Sequence, residues 1–397
     1  MKNRFLWLLS AGHLFTDLNQ GALPAILPFL IVEYNLSYAA AAGLVFAASF
    51  VSSIIQPFFG HLADKSSKPW LMPGGILLAG CGLAAVGFIS SYWMMFAAVT
   101  VSGVGIAAFH PEAARMANKV SGEKKGTGIS IFSVGGNAGF ALGPVIATAA
   151  LLLWGLQGTL ILIVPAAIMA AIIASQAGKL NEFEKLATIA DNSRNMAEEK
   201  EEWAPFSRLT VVLFCRSIMF YGLNTFLPLY WINILQQSNA AGGSALTILF
   251  TVGAISTLFG GQLADRFGHT RIIRIGFVVL LPFLMVFNMV KDASLATLLL
   301  IPIGVALFAP NSPMTVLGQK YLPNRLGLAS GVTLGLAVSV GGITAPALGW
   351  FADNYGLPLA MQLVTYLAIV AAVMAFTLPV PRSDTNTAGR IPAKEGI

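Results

Sequence analysis

Apolar runs of about 20 residues, separated by short polar turns, recur along the whole chain of 397 residues. As a helix, a run of that length covers the hydrocarbon core of a bilayer, which is about 30 Å thick. Lipid satisfies no backbone hydrogen bond, so such runs fold as helices. Charged residues make up only 10% of the chain, against about 25% in a soluble domain. The sequence predicts an all-α integral membrane protein with about twelve transmembrane helices.

The basic residues predict the orientation of these spans. With twelve spans, both termini and nearly every Lys and Arg fall on one side, and the other side receives only Lys291. The positive-inside rule makes the crowded side the cytoplasm. We therefore expect a multi-pass protein of the cell inner (cytoplasmic) membrane with both termini cytoplasmic. Topology also accounts for the net charge of +6, so no nucleic-acid partner is expected.

A polar, charged stretch after the sixth span divides the chain. We expect an N-terminal six-helix bundle over residues 1–178, a cytoplasmic linker over 179–206, a C-terminal six-helix bundle over 207–381 and a disordered cytoplasmic tail over 382–397. Cys81 and Cys215 lie inside apolar runs and are interpreted as buried thiols rather than as a disulfide or metal site.

The two halves repeat each other. Gly60-His61-Leu62-Ala63-Asp64-Lys65 returns 201 positions later as Gly261-Gln262-Leu263-Ala264-Asp265-Arg266. In the fifth and eleventh spans, Ser133-Val134-Gly135-Gly136 returns 206 positions later as Ser339-Val340-Gly341-Gly342. Both copies have the same orientation, which predicts two pseudo-symmetric bundles related by an axis along the membrane normal. A cavity should then lie between the halves near the midplane.

The repeated Gly-x-Leu-Ala-Asp-Lys/Arg loops resemble the cytoplasmic motif of the major facilitator superfamily, and the resemblance spans the chain. The aspartate carboxylate can sit at the N-terminus of a neighbouring helix and latch the halves in one state. The competing interpretation is a pair of polar turns. The predicted latch residues are Gly60, Asp64, Lys65, Gly261, Asp265 and Arg266.

Glycines recur every fourth residue in the fifth span, at Gly135, Gly139 and Gly143, and Pro144 follows them. This spacing makes a groove for close helix packing. Ordinary packing is one interpretation of the pattern. Together with the Gly-Pro step, it also resembles the motif that drug antiporters carry in this span, which implies export.

A narrower resemblance joins several motifs of the first half. They are His13-Leu14-x-x-Asp17, Gln56-Pro57, Phe109-His110-Pro111-Glu112-x-x-Arg115 and Phe132-x-x-Gly135-Gly136-Asn137. This set resembles the fosmidomycin resistance protein family, whose members are taken to be proton-driven exporters of small anionic antibiotics. The resemblance implies a proton-coupled antiporter that exports a small organic compound, conferring antibiotic resistance. Proton-linked uptake of a small organic solute remains the alternative.

Ionisable residues inside spans are costly and mark candidate proton sites. Asp17 is the deepest acid, and His13, four residues earlier, projects from the same helix face. The alternative for His13 and Asp17 is a static hydrogen-bonded pair, and for His110, Glu112 and Arg115 it is a charge-paired helix end near the headgroups. The predicted proton-coupling residues are Asp17, His13, Glu112 and His110.

Polar and cationic residues at membrane depth are candidates for substrate binding. Arg216 could pair with an anionic substrate or snorkel to the interface, and the amides could simply join helices. The predicted substrate-binding residues are Asn137, Arg115, Arg216, Gln20, Asn224, Tyr221 and Asn311.

Other classes of protein lack support in the sequence. It contains no His-Glu-x-x-His, no Gly-x-Ser-x-Gly and no Walker loop. We therefore expect no enzyme activity, no cofactor and no bound metal. A parallel repeat suits alternating access better than a channel, and the linker is small for a receptor. The expected partners are a small-molecule substrate, protons and the lipid bilayer, around a monomer.

Overall fold

The computed structural model describes residues 2–65, 68–121, 125–190, 201–325, 328–329 and 331–381. These residues are almost entirely helical and contain no strand. The first half consists of α1 Lys2–Tyr34, α2 Tyr38–Lys65, α3 Leu71–Ala85, α4 Tyr92–Ser121, α5 Lys125–Trp154 and α6 Ile163–Ala190. The second half consists of α7 Trp203–Asn233, α8 Asn239–Phe267, α9 His269–Met289, α10 Ala293–Phe308, α11 Asn311–Tyr321, α12 Ala337–Tyr355 and α13 Leu357–Phe376.

These helices make twelve crossings. Ten segments of the described chain are long and apolar enough to span a membrane. One of them, Ile131–Leu180, has 50 residues and makes two crossings, because the 3₁₀ stretch Gly155–Leu162 turns the chain between α5 and α6. Helices α10 and α11 share one crossing. The π-helical turn Gly331–Leu336 leads into α12, which makes the eleventh crossing, and α13 makes the twelfth. The predicted all-α membrane fold is confirmed.

The crossing order defines two faces, which we call the terminal face, where α1 begins and α13 ends, and the opposite face. The same pairs of helices pack in each half. In the first half α1 packs on α5, α2 on α4 and α3 on α6, while in the second α7 packs on α12, α8 on α10 and α9 on α13. The predicted pseudo-symmetry of two six-crossing bundles is therefore present in the packing.

The glycines of α5 hold it against α1. A Cβ atom at Gly135 would overlap the carbonyl oxygen of Ser10, one at Gly139 that of Leu14, and one at Gly143 that of Leu18. Both helices therefore advance four residues per contact, and only hydrogen fits between the two backbones. The predicted packing groove is present. The second half repeats the first contact, with Gly341 of α12 against Ser217 of α7.

The two halves meet at the opposite face. Gly349 of α12 lies against the backbone of Tyr38 and Ala39 at the start of α2, and Gly243 of α8 lies against Thr148 of α5. A central cavity lies between the halves, lined from the middle of the crossings. This arrangement matches the predicted location near the midplane.

The helices on either side of the expected linker extend into it. Helix α6 continues to Ala190 and α7 begins at Trp203, so the ends of the expected linker 179–206 are helical. Good helix formers follow residue 179, and the amide of Glu202, which donates to the Tyr321 carbonyl over 2.7 Å, fixes the chain before α7. Residues 191–200 of the linker and the expected tail 382–397 lie outside the described residues.

The expectation for one cysteine was wrong. Cys215 is buried, but Cys81 is exposed on α3. Lipid is as apolar as the protein interior, so an apolar run does not reveal which of its residues face inward.

Candidate functional site: a buried His-Asp-His triad beside a central cavity

Three ionisable side chains of the first half meet inside the bundle. Asp17 of α1 is 5% exposed. Its Oδ2 lies 3.1 Å from Nε2 of His13, and its Oδ1 lies 2.9 Å from Nε2 of His110 on α4. We call these three residues the triad. The structure thus brings together three of the four residues predicted for proton coupling.

The hydrogen-bond partners fix where the protons of the triad lie. His13 Nδ1 is 2.9 Å from the Phe132 carbonyl oxygen, which only accepts, so this nitrogen carries a hydrogen. The amide nitrogen of Gln56 lies 3.4 Å from His110 Nδ1; with the amide in this orientation Nδ1 accepts, and Nε2 is the donor to Asp17. The contact between His13 and Asp17 needs a further proton, held by either partner. The triad consequently carries one proton more than two neutral imidazoles and a carboxylate.

Helix α5 holds the His13 ring in place from two sides. The Phe132 ring stacks on it with centroids 4.2 Å apart. A Cβ atom at Gly136 would come within 2.5 Å of His13 Nε2 and 2.7 Å of Asp17 Oδ2. The second glycine of the Gly-Gly pair therefore lets the α5 backbone approach the triad. We had not predicted this role, although the pair itself was visible in the repeat.

The triad reaches the cavity through His110. The side chain of His110 is 20% exposed, against 7% for Asp17, and His110 lines the cavity. The cavity has a volume of about 260 Å³. Its wall includes five of the residues predicted to bind substrate, namely Gln20, Asn137, Arg216, Tyr221 and Asn311.

Arg216 is the one permanently charged side chain among the described residues of the cavity wall. Its Nε donates to the Leu307 carbonyl over 3.0 Å, and its guanidinium carbon lies 5.8 Å from the centroid of the Phe308 ring. The Leu307 bond uses one of five N–H donors, so others remain for a ligand. The geometry favours the anion-pairing interpretation of this residue over snorkelling.

Three of the residues predicted for proton coupling or substrate binding, Glu112, Arg115 and Asn224, lie outside both the triad and the described cavity wall. Glu112 is fully buried and accepts from Nη2 of Arg115 over 2.7 Å. It is two positions from His110, so the two side chains leave α4 in different directions. Asn224 is buried at 3% exposure. The pairing of Glu112 with Arg115 matches the charge-paired interpretation.

The predicted latch loops are described in part. The side chains of residues 60–65 lie outside the described residues, so the contacts expected for Gly60, Asp64 and Lys65 remain predictions. In the second copy, Gly261 faces Ser312, and the Arg266 guanidinium lies over the Phe267 ring. The Asp265 side chain is 80% exposed, with Oδ1 3.7 Å from His269 Nε2. Its helix-capping contact stays a prediction for another conformation.

The triad could in principle hold a metal ion. Its three donor atoms lie within 4.8 Å of one another. Each of these potential metal ligands already has a hydrogen-bond partner within the triad. The second nitrogen of each ring contacts the Phe132 carbonyl or Gln56. We therefore assign no metal to the site.

This fold, with two parallel bundles and a polar cavity between them, defines a membrane transporter. A model of the Major Facilitator Superfamily matches residues 9–346, and the chain belongs to this superfamily. Its members are transporters that act on small molecules in the membrane, and the chain is not an enzyme.

Known proteins resemble it over nearly the whole length. The fosmidomycin resistance protein of Escherichia coli (strain K12) is 28% identical over 384 residues, which is 94% of this chain and 92% of that protein. The uncharacterized MFS-type transporter YfnC of Bacillus subtilis (strain 168) is 30% identical over 381 residues, with 94% and 92% covered. These comparisons confirm the resemblance inferred from the motifs.

A solved structure shows the same fold. The bacterial homologue of the human lysosomal transporter Spinster, in an inward-facing and occupied conformation, matches with a TM-score of 0.78. The match covers 94% of this chain and 96% of that chain at 15% identity.

Proposed function

We propose that this chain is a proton-coupled antiporter that exports a small organic anion by alternating access. The observation that carries the proposal is the triad, because its hydrogen bonds require one extra proton and His110 joins it to the cavity. Histidine and buried carboxylates are the groups that proteins use to carry protons near neutral pH.

Loss of the extra proton would change the packing of the first half. The lone pair of His13 Nε2 would then face the Asp17 carboxylate at 3.1 Å, and the two would repel each other. His13 is also bonded to the α5 backbone at Phe132, and Asp17 is bonded to α4 through His110. The protonation state of the triad therefore acts on α1, α4 and α5 together.

Arg216 supports an anionic substrate. It belongs to the second half, on α7, and its charge faces the cavity. A guanidinium pairs with carboxylate or phosphonate oxygens through two parallel hydrogen bonds. An anion bound there would contact both halves, as alternating access requires.

The direction of transport rests on two further points. The Gly135 to Pro144 segment resembles the antiporter motif, and the E. coli relative of 28% identity is by name a fosmidomycin resistance protein. The basic residues of the terminal face, such as Arg208 and Arg274, support a cytoplasmic location for that face by the positive-inside rule. We accordingly assign the chain to a bacterial inner membrane, with both termini inside.

Electrostatics favours a second candidate, proton-linked uptake. A protonated triad is neutral and a deprotonated one is negative, so the extra proton makes the cavity more attractive to an anion. Proton and anion would then bind together, which is the coupling that a symporter needs. Export by exchange requires the opposite coupling, which would have to come from conformation.

Purified chain in proteoliposomes, loaded with fosmidomycin and given a pH gradient of either sign, separates the two candidates. An exporter moves fosmidomycin against the direction of proton flow, whereas a symporter moves it with the protons. Asp17→Asn should abolish gradient-driven accumulation but retain gradient-free counterflow, because the binding site remains. Asp292→Asn is the control, since asparagine still caps α10. Full gradient-driven transport by Asp17→Asn would contradict the proton assignment.

A further inference from the structure

Four phenylalanine rings form a cluster on the cavity wall. They are Phe140 of α5, Phe220 of α7, Phe250 of α8 and Phe308 of α10, and all four line the cavity. Five pairs among them have ring centroids between 5.5 and 6.2 Å apart, in tilted or edge-to-face orientations. We call these residues the phenylalanine cluster.

The cluster joins the two halves of the transporter. Phe140 comes from the first half and the other three from the second, and their rings meet beside the cavity. A flat apolar group in the cavity that packs against these rings would contact both halves at once. Aromatic rings attract one another in offset or edge-to-face geometry beyond their simple burial.

The neighbouring charge excludes one class of ligand. Aromatic cages often bind cations over their ring faces. Here the Arg216 guanidinium already lies over the Phe308 ring at 5.8 Å. A second cation in the same cluster would be repelled by this charge, which favours an anion that carries an apolar ring.

Charge and volume limit this anion further. Arg216 is the only permanent charge that the described cavity wall provides, and it offsets a single negative charge. The volume of about 260 Å³ lies below the range of about 300–1,000 Å³ usual for drug-sized ligands. One ring with a short acidic group fits both limits.

We propose that the cavity binds small aromatic monocarboxylates of the benzoate class. The carboxylate pairs with Arg216, and the ring packs into the phenylalanine cluster. This inference rests on the proposed function in one respect only, namely that the substrate is a small organic anion.

Equilibrium binding to the purified chain in lipid nanodiscs, with no pH gradient, tests this inference. Radiolabelled benzoate is the probe, and cyclohexanecarboxylate is the matched competitor, because it has the same charge and nearly the same size but a puckered ring. We expect cyclohexanecarboxylate to bind about tenfold more weakly, since it lacks the ring–ring attraction. Equal affinities for the two acids, or no benzoate binding, would overturn the proposal.

Three variants assign the effect to residues. Phe250→Leu and Phe308→Leu should each remove most of the preference for benzoate, and Arg216→Gln should weaken both acids. Phe88→Leu, on an exposed ring away from the cavity, is the control. Size-exclusion profiles identify variants that fail to fold, and the second leucine variant keeps the test decisive if the first does. An unchanged preference in folded cluster variants would overturn the proposal.

The outcomes separate this inference from the proposed function. Benzoate binding that depends on the cluster, without proton-driven transport in proteoliposomes, supports the inference and contradicts the proton coupling. Proton-driven movement of fosmidomycin without benzoate binding supports the proposed function and contradicts the inference.

Discussion

The Asp353 carboxylate accepts hydrogen bonds from the backbone amides of Tyr38, at 2.7 Å, and Ala39, at 2.9 Å. Asp353 lies near the end of α12 and Tyr38 begins α2, so this contact joins the two halves at the opposite face. The first amides of a helix lack partners and carry its positive dipole end, which an aspartate stabilises. On its own helix the same carboxylate sits near the unfavourable negative end. The contact with α2 compensates for that position.

We therefore expect Asp353→Ala to shift the conformational equilibrium toward a state open at the opposite face. Removing a helix cap costs roughly 0.5–2 kcal/mol, which corresponds to a shift of about 2- to 30-fold. Spin labels at Glu33 and Ser244, in a chain whose two cysteines have been replaced, would report the separation of the halves by double electron–electron resonance.

Asp292→Ala is the matched control for this shift. Asp292 caps α10 on the same face, with Oδ1 2.8 Å from the Leu295 amide, but both residues belong to one half. Its removal should lower stability without separating the halves. If the distance between the two labels were the same in Asp353→Ala as in Asp292→Ala, the proposal that Asp353 holds this face closed would be contradicted.

Gly136→Ala should disrupt the triad without adding any charge. A Cβ atom there would lie within 2.7 Å of both His13 and Asp17, so one of the two side chains must move. We expect at least a tenfold loss of gradient-driven transport, because misplacing a reacting group by about 1 Å can cost about 10²-fold. Gly178→Ala is the control, since no atom lies within 4 Å of a Cβ atom at that position. Equal transport by both variants would show that the triad tolerates displacement.

The sequence predicted those parts of the site that depend on one helix. His13 and Asp17 are four residues apart on α1, so the helix geometry alone places them together. The glycine spacing of α5 likewise predicted its contact with a neighbouring helix. The lengths of the apolar runs were sufficient to predict the twelve crossings, and the internal repeat was sufficient to predict the two halves.

The rest depends on how helices rotate against one another. His110 and Glu112 are two residues apart, and the sequence could not show that only His110 faces Asp17, 93 positions away. The phenylalanine cluster draws its rings from four separate helices, and in a chain with 26 phenylalanines no local pattern marks them. The sequence did not distinguish Asp353 from any other acid at the end of a span. Its partners are backbone amides of the other half, which no side-chain pattern marks.

Gln56→Glu should move the pH profile of transport to higher pH. The Gln56 amide faces His110 Nδ1, which accepts, while His110 Nε2 faces Asp17. A carboxylate at position 56 would give both ring nitrogens an anionic acceptor and so stabilise the imidazolium. The alkaline limb of the rate profile should therefore shift to higher pH. Rates measured in proteoliposomes across a pH series would check this.

Ser53→Asp distinguishes that effect from simple repulsion of the substrate. Ser53 also lines the cavity. Its replacement by aspartate adds the same negative charge to the cavity but leaves the contact between Gln56 and His110 as it is. Both variants should raise the KM for an anionic substrate, but only Gln56→Glu should move the pH profile. The same shift in Ser53→Asp would assign it to the cavity field in general.

Glu112→Gln should lower stability and leave proton coupling intact. The structure pairs Glu112, which is fully buried, with Arg115 at 2.7 Å rather than with the triad. Removing one partner of a buried ion pair costs about 3–5 kcal/mol. We expect a lower thermal midpoint for the purified variant and an unchanged dependence of transport on the pH gradient. The double variant Glu112→Gln/Arg115→Met should regain part of the lost stability, since it removes both charges of this pair. Loss of gradient-driven transport in a Glu112→Gln protein that keeps its thermal midpoint would instead return Glu112 to the proton pathway.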